Sequence, residues 1–272
     1  MTDHIVLFDM DGTLAPARKP VTREVVAALR KLTRFKRATV GIVTGSGMDY
    51  VIEQCTPIWG SSTGCNPENI VLMPCNGTQV FECKSAAAGI YEETHAVSVI
   101  EKLKKQKYKK LINKLLELQL DTISRNNIPL TGEFISYRGS LINWCPIGRA
   151  ATDEQREEFI KLDEKNNVRA VQLDALREFC TSKKIDVTCS LGGQTSIDIY
   201  PIGWDKSYAL KHAGDALCWF VGDKCTGTGN DKQIYDALAD TGRAFQTTSP
   251  EETVEIILDK IIPAIEEKKK WS

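Results

Sequence analysis

Short apolar runs along this chain alternate with stretches whose apolar residues recur at helical spacing. Ile5 to Phe8 is an unbroken apolar run. After Thr22, a side chain suited to a helix N-cap, Val25, Val26, Leu29 and Leu32 fall on one stripe, and Ala38 to Val43 is apolar again. The three segments read as one strand-helix-strand unit. A further strand is expected over Asn69 to Met73, followed by a turn at Asn76-Gly77 and a hairpin partner over Thr78 to Cys83. The same rhythm returns late in the chain, from "WDKSYALKHAG" through the apolar "ALCWFVGD" to a helix near residues 230–238. Strands alternating with helices predict a parallel sheet covered by helices.

Between about residues 86 and 190 the rhythm changes. A long Lys/Leu-rich helix near 98–120 precedes an antiparallel-looking pair in "EFISYRGSLINWCP", two charged helices and more strands. Such an irregular stretch inside an alternating chain predicts an inserted domain. We therefore expect a discontinuous α/β core over residues 1–85 and 200–272, with an α+β cap over residues 86–199 acting as a lid. The end "EEKKKWS" reads as a solvated tail.

Composition narrows the function classes. Across 272 residues, 35 Lys and Arg nearly cancel 36 Asp and Glu, so no global field recruits nucleic acid or an anionic membrane, and an anion must be caught by a local cluster. Nine cysteines without a C-x-x-C pair read as reduced, mostly buried thiols. No basic-then-apolar leader and no run of about 18 apolar residues is present, and the expected location is cytoplasmic, with no membrane partner.

Candidate chemistry starts at the end of the first strand, in "FDMDGTLAPAR". Ligands of open parallel sheets bind at the carboxyl ends of the strands, where Asp9 falls. In extended chain a two-residue step returns Asp11 to the same side, and two crowded carboxylates call for a cation, with Mg2+ suited to oxygen donors. The bland alternative is a turn at Asp11-Gly12 with no chemistry. Against it stand "GIVTGS", with Thr44 and Ser46 after a second strand, Lys206 opening a helix in "WDK", and Asp223 and Asp231 in "WFVGDKCTGTGND" after a third.

These four motifs together resemble the haloacid dehalogenase-like phosphatases and phosphotransferases, which implies a Rossmann-like core and a phosphoryl-transfer mechanism. By that resemblance Asp9 is the nucleophile that becomes an aspartyl-phosphate and Asp11 the general acid/base. Thr44 or Ser46 bonds a phosphoryl oxygen and Lys206 offsets charge. The Mg2+ site is formed by Asp9, the backbone carbonyl of Asp11, Asp223 and Asp231.

The inserted segment narrows the resemblance. "FISYRGSLINWCPIGRAATDEQREEF" and "GGQTSIDIYPIGWDK" are similar to eukaryotic-type phosphomannomutases over most of the chain. That likeness implies substrate contacts from Arg138, Asn143, Arg149, Arg156, Ser196 and Asp198 in the cap and Arg18 in the core. It also implies a hexose 1,6-bisphosphate activator, a homodimer through the cap, and interconversion of mannose 6-phosphate and mannose 1-phosphate on the route to GDP-mannose. The residues agree in part: alternation in "TSIDIY" sends Ile197 and Ile199 to one face and Ser196 and Asp198 to the other, and guanidinium groups match phosphate geometry. A mutase must hold and re-present a bisphosphate, which gives a second phosphate clamp its use. Departures from the family pattern are Thr44, "NNIPLTGEF", and Ala237 and Asp240 at ancillary cation positions, where Asp236 is the available substitute. The alternatives are an Mg2+-dependent sugar-phosphate phosphatase on the same scaffold and a non-catalytic sugar-phosphate-binding protein. His4, His95 and His212 read as structural, and Trp144, Trp204 and Trp219 as packing residues.

Overall fold

Alternation of strand and helix is the organising feature of a computed structural model of the chain, which describes residues 3–59, 64–85 and 89–267. Only the first residues of the expected solvated tail are among them; residues 268–272 lie outside. In chain order the elements are β1 (His4–Phe8), α1 (Arg23–Leu32), β2 (Ala38–Val43), α2 (Met48–Trp59), β3 (Ile70–Met73), β4 (Gln79–Ser85) and β5 (Ile90–Ala96). Then follow α3 (Val99–Arg125), β6 (Ile135–Tyr137), β7 (Ile142–Trp144), α4 (Asp153–Asn166), α5 (Val168–Ser182), β8 (Val187–Gly192) and β9 (Ser196–Pro201). The chain ends with β10 (Leu217–Gly222), α6 (Lys232–Leu238), β11 (Ala244–Gln246), α7 (Pro250–Glu255) and α8 (Ile262–Glu267).

Two compact units result, one from residues 1–96 and 204–272, the other from 97–203. In the first, a seven-stranded sheet has the order β11-β10-β1-β2-β3-β4-β5. The strands from β11 to β3 run parallel, and β4 and β5 are antiparallel additions. The side chain of Thr22 accepts the Val25 N–H as N-cap of α1, and the Val25, Val26, Leu29 and Leu32 stripe is buried against Val6, Phe8, Val40 and Ile42. Burial of such side chains contributes roughly 1.5–3 kcal/mol each before entropy is counted.

The division of the chain differs from the expected one. Cap residues were expected from residue 86, at the edge of a short stretch, residues 86–88, outside the described residues, but β5 pairs with β4 and belongs to the core sheet. Its sequence, "IYEETHA", is polar on both faces because it is an edge strand with most of its side chains exposed, so periodicity gave no sign of it. The second unit carries a four-stranded sheet of order β6-β7-β9-β8, and the described helices α3 and α5 pack on it through Leu111, Leu115, Leu173, Leu176, Trp144, Ile197 and Ile199. No helix among the described residues is long and apolar enough to cross a membrane.

Candidate active site

Register brings the first unit's polar residues together. Phe8 pairs with Ile42 on one side and Val221 on the other, so β1, β2 and β10 end at nearly one level, with Asp9, Thr44 and Asp223 at or just past their ends. Asp9 donates its N–H to Val221 O at 2.9 Å, then the chain leaves the extended form. The Met10 carbonyl accepts the N–H groups of Leu14 and Ala15, each at 3.0 Å, and Gly12 N–H donates to Ala15 O at 2.7 Å. Gly12 has φ +88, and a Cβ there would lie 2.4 Å from Asp223 Oδ2, so only glycine fits.

This turn corrects the expected pairing of Asp9 with Asp11 on one side of extended chain. The Asp11 carboxylate instead accepts the Tyr50 hydroxyl at 2.8 Å and the Arg18 N–H at 3.0 Å, both on Oδ1. The carboxylates that join Asp9 are Asp223 and Asp231, with oxygens all within 4.8 Å of one another. Asp11 contributes no carboxylate to that group.

Lys206 opens a 3-10 turn, Lys206–His212, capped by the Asp205 side chain. Only 1% exposed, it donates from Nζ to both Asp9 Oδ1 and Asp231 Oδ1. Burial alone would favour its neutral form, but Asp231 and Asp9 outweigh that and keep it an ammonium. Three carboxylates against one ammonium leave a formal charge of −2 in a buried site. Burial, then repulsion from Asp231, pushes the Asp9 carboxyl up to about 8 despite Lys206. Burial also raises Asp223, whereas at Asp231 burial is outweighed by the Lys206 charge together with hydrogen bonds from Lys206 and the Lys224 N–H, and the pKa is lowered. Asp223 Oδ1 is buried without a hydrogen-bond partner among the described residues. An all-oxygen donor set with excess negative charge and an unpartnered oxygen fits Mg2+, which Asp9, Asp223 and Asp231 could hold.

Thr44 is buried, and its Oγ1 accepts the Ser46 N–H at 3.1 Å. The connection Cys75–Gly77 locks this segment from behind: Cys75 N–H donates to Ser46 O at 2.9 Å and Asn76 N–H to Thr44 O at 2.7 Å. Asn76, at φ 65, also donates its side-chain amide to Trp204 O at 3.2 Å, two residues before Lys206. The sequence marked Asn76-Gly77 only as a turn, and Tyr50 carried no signal beyond an aromatic on a helix. Arg18 is exposed at φ 59. The substitute cation ligand Asp236 is paired with Lys232. His212 bonds Gly77 O at 2.8 Å, His4 accepts from Trp219 at 3.2 Å, and Trp144 bonds Gln119 at 2.6 Å.

In the second unit, pairing across β7 and β9 sets Asn143 beside Asp198, and its amide donates to Asp198 Oδ1 at 2.6 Å and Ser196 Oγ at 3.0 Å. Arg149 donates to Asn143 Oδ1 at 3.3 Å. A Cβ on Gly192 would lie 2.4 Å from Asp198 Oδ2, so that glycine makes room for the carboxylate. Burial, and next the charge of Arg138, lowers the Arg149 pKa, an arrangement of two guanidinium groups that an anion would relieve. Arg156 lies on α4 and is 8% exposed. Ile197 and Ile199 face the apolar core of the unit, as the alternation predicted.

Residues 25–263 match the family model of the eukaryotic phosphomannomutases. The chain is 35% identical to a phosphomannomutase of Schizosaccharomyces pombe, spanning 92% of this chain and 91% of that protein. It is also 36% identical to one of Spinacia oleracea, over 94% and 96%. Among solved structures, the IMP-nucleotidase of Plasmodium falciparum superposes with a TM-score of 0.61 at 15% identity over 94% of this chain and 67% of that one. The C-terminal domain of Candida albicans trehalose-6-phosphate phosphatase gives 0.56 at 13% identity, over 93% and 91%. The structural neighbours share the capped haloacid dehalogenase fold, and by sequence the chain belongs to the eukaryotic phosphomannomutase family.

Proposed function

We propose that this protein interconverts mannose 6-phosphate and mannose 1-phosphate through an aspartyl-phosphate and a hexose 1,6-bisphosphate, supplying GDP-mannose synthesis. The observation that carries the reading is the buried cluster of Asp9, Lys206, Asp223 and Asp231 in a chain of this family. A carboxylate oxygen of Asp9 attacks phosphorus, forming an acyl phosphate as the ester P–O bond breaks, and Asp11 delivers a proton to the departing sugar oxygen. In the second half, the free hydroxyl of a mannose monophosphate gives its proton to Asp11 and attacks the aspartyl-phosphate, freeing Asp9 and forming the 1,6-bisphosphate, which turns, gives its other phosphoryl group to Asp9 and leaves as the isomer. Lys206 holds the nucleophile and offsets its charge, Thr44 and Ser46 offer hydroxyls to the phosphoryl oxygens, and Asp231 fixes Lys206. Mg2+, when bound, neutralises charge on the phosphoryl oxygens.

The two units divide the work as catalytic core and substrate-binding cap. Arg138, Arg149 and Arg156, with Asn143, Ser196 and Asp198, retain the phosphate and hydroxyls that are not reacting, and Arg18 contributes from the core. Glucose phosphates are a second substrate pair. We assign a homodimer through the cap, for which exposed Leu116, Leu120 and Val171 offer apolar surface, and a cytoplasmic location, suited to nine free cysteines.

The test is to incubate the purified protein with mannose 1-phosphate, Mg2+ and a trace of glucose 1,6-bisphosphate, following mannose 6-phosphate and inorganic phosphate together. Bisphosphate-dependent appearance of mannose 6-phosphate ahead of free phosphate is expected. Phosphate without isomer would assign a sugar-phosphate phosphatase instead.

A further inference from the structure

Tyr50 stands in the first turn of α2, its ring half-buried against the core and its hydroxyl 2.8 Å from Asp11 Oδ1. We propose that Tyr50 is a positioning residue that holds the acid/base Asp11 in register for proton transfer; the inference rests on the role given to Asp11 above.

The carboxylate sits in a turn, and a side chain there is not fixed by the sheet. Its Oδ1 is instead held by two donors from different parts of the chain, the Tyr50 hydroxyl and the Arg18 N–H at 3.0 Å. Arg18 presents that N–H from a left-handed backbone at φ 59. Two donors on one oxygen define the carboxyl plane and leave Oδ2 as the atom that carries the transferable proton. Toward the ionised carboxylate, which only accepts, the Tyr50 hydroxyl acts as donor. The metal-binding carboxylates cannot do this work, since Asp11 lies outside their group. Proton transfer is steeply sensitive to placement: a displacement of about 1 Å costs roughly 100-fold in rate. Losing one of two tethers on a carboxylate still held by Arg18 N–H is expected to cost about tenfold.

The experiment is a double-mutant cycle on the mutase reaction, with Tyr50→Phe measured in the native protein and in Asp11→Asn. In the native background we expect kcat to fall about tenfold with KM within about twofold, because Tyr50 touches the acid/base and not the substrate. In Asp11→Asn the same substitution should change kcat by less than about twofold, since the group it positions no longer transfers a proton. Equal losses in both backgrounds, or no loss in the native one, would overturn the positioning role. Asp11→Asn alone leaving turnover unchanged would instead overturn the acid/base assignment, which separates the two failures. Thermal unfolding is followed alongside. Should Tyr50→Phe not fold, Tyr50→His, which keeps a ring and a donor, is read through the same cycle: kcat above one-tenth of native supports the role, and an equal loss in Asp11→Asn opposes it.

Discussion

Replacing Lys206 by Met removes the single ammonium from among three carboxylates while roughly keeping its volume. The side chain is fully buried and bonded to Asp9 and Asp231, so neither partner can turn to water when it goes. With all three carboxylates ionised, the formal charge of the site then changes from −2 to −3. Breaking a buried pair from one side costs about 3–5 kcal/mol, against a total stability of about 5–15 kcal/mol, which corresponds to a fall of roughly 6–20 °C in the unfolding temperature of the first unit. The cost depends on pH. Asp9 in the folded protein holds its proton up to about 8, far above an unfolded aspartate near 3.8. Between those values the native state binds more protons than the unfolded one, so in chelator the stability of even the native protein falls as pH rises through that window. Without Lys206 the repulsion is greater and Asp9 keeps its proton to still higher pH, so the penalty should be larger at pH 8 than at pH 5, where protonation of the cluster relieves it. Scanning calorimetry in EDTA at both pH values, resolving the transitions of the two units, measures this. Adding Asp231→Asn restores the charge to −2 and should recover part of the loss, since the Asn carbonyl can still accept the Lys224 N–H that Asp231 Oδ2 takes at 3.0 Å. A penalty below about 1 kcal/mol at pH 8, or one that is the same at both pH values, would refute the electrostatic account.

The remaining predictions concern metal, turn and substrate. Asp9→Asn should abolish formation of the phosphoenzyme and lower turnover at least about 1,000-fold, measured by transfer of labelled phosphate. Mg2+ affinity should rise between pH 6 and 8, by up to about tenfold per pH unit for each proton displaced, because the raised pKa values of Asp9 and Asp223 make protons compete with the metal; titration calorimetry in two buffers checks both the affinity and the proton release. Gly12→Ala places a methyl against Asp223 Oδ2 in a backbone conformation alanine resists, and should cost about 1–3 kcal/mol and weaken Mg2+ binding, checked by chemical unfolding with and without metal. Arg149→Ala should raise KM for the sugar phosphate by roughly tenfold or more while leaving Mg2+ affinity unchanged, as steady-state kinetics and metal titration will tell.

The elements that sequence made legible are those whose burial leaves a repeating signature. The apolar run of β1, the capped stripe of α1 and the strand before Asp223 could be placed because each is buried on a regular period. β5 could not, since an exposed edge strand has no reason to alternate. Within the site, the residue types at strand ends were readable because a parallel sheet sends its carboxyl ends to one place. Which carboxylates meet was not, since that depends on the reversal after Asp9, where the Met10 carbonyl collects three N–H groups and turns Asp11 toward Tyr50. Asn76 and Tyr50 act through bonds to partners 128 and 39 positions away, and no local pattern records such a separation.

The placement of β1 between β2 and β10 also sets an order of assembly. During synthesis β1 emerges ahead of both its neighbours, and the second of them, Leu217–Gly222, comes some two hundred residues later. Until then one edge of β1 has no partner, and Asp9 has neither Lys206 nor Asp231 beside it. The contiguous second unit, residues 97–203, has its own apolar core and is complete before the first can close. Residues 204–272 therefore complete the sheet and the charged cluster, and a chain halted before Leu217 would leave one edge of β1 unpaired and lack Asp223 and Asp231.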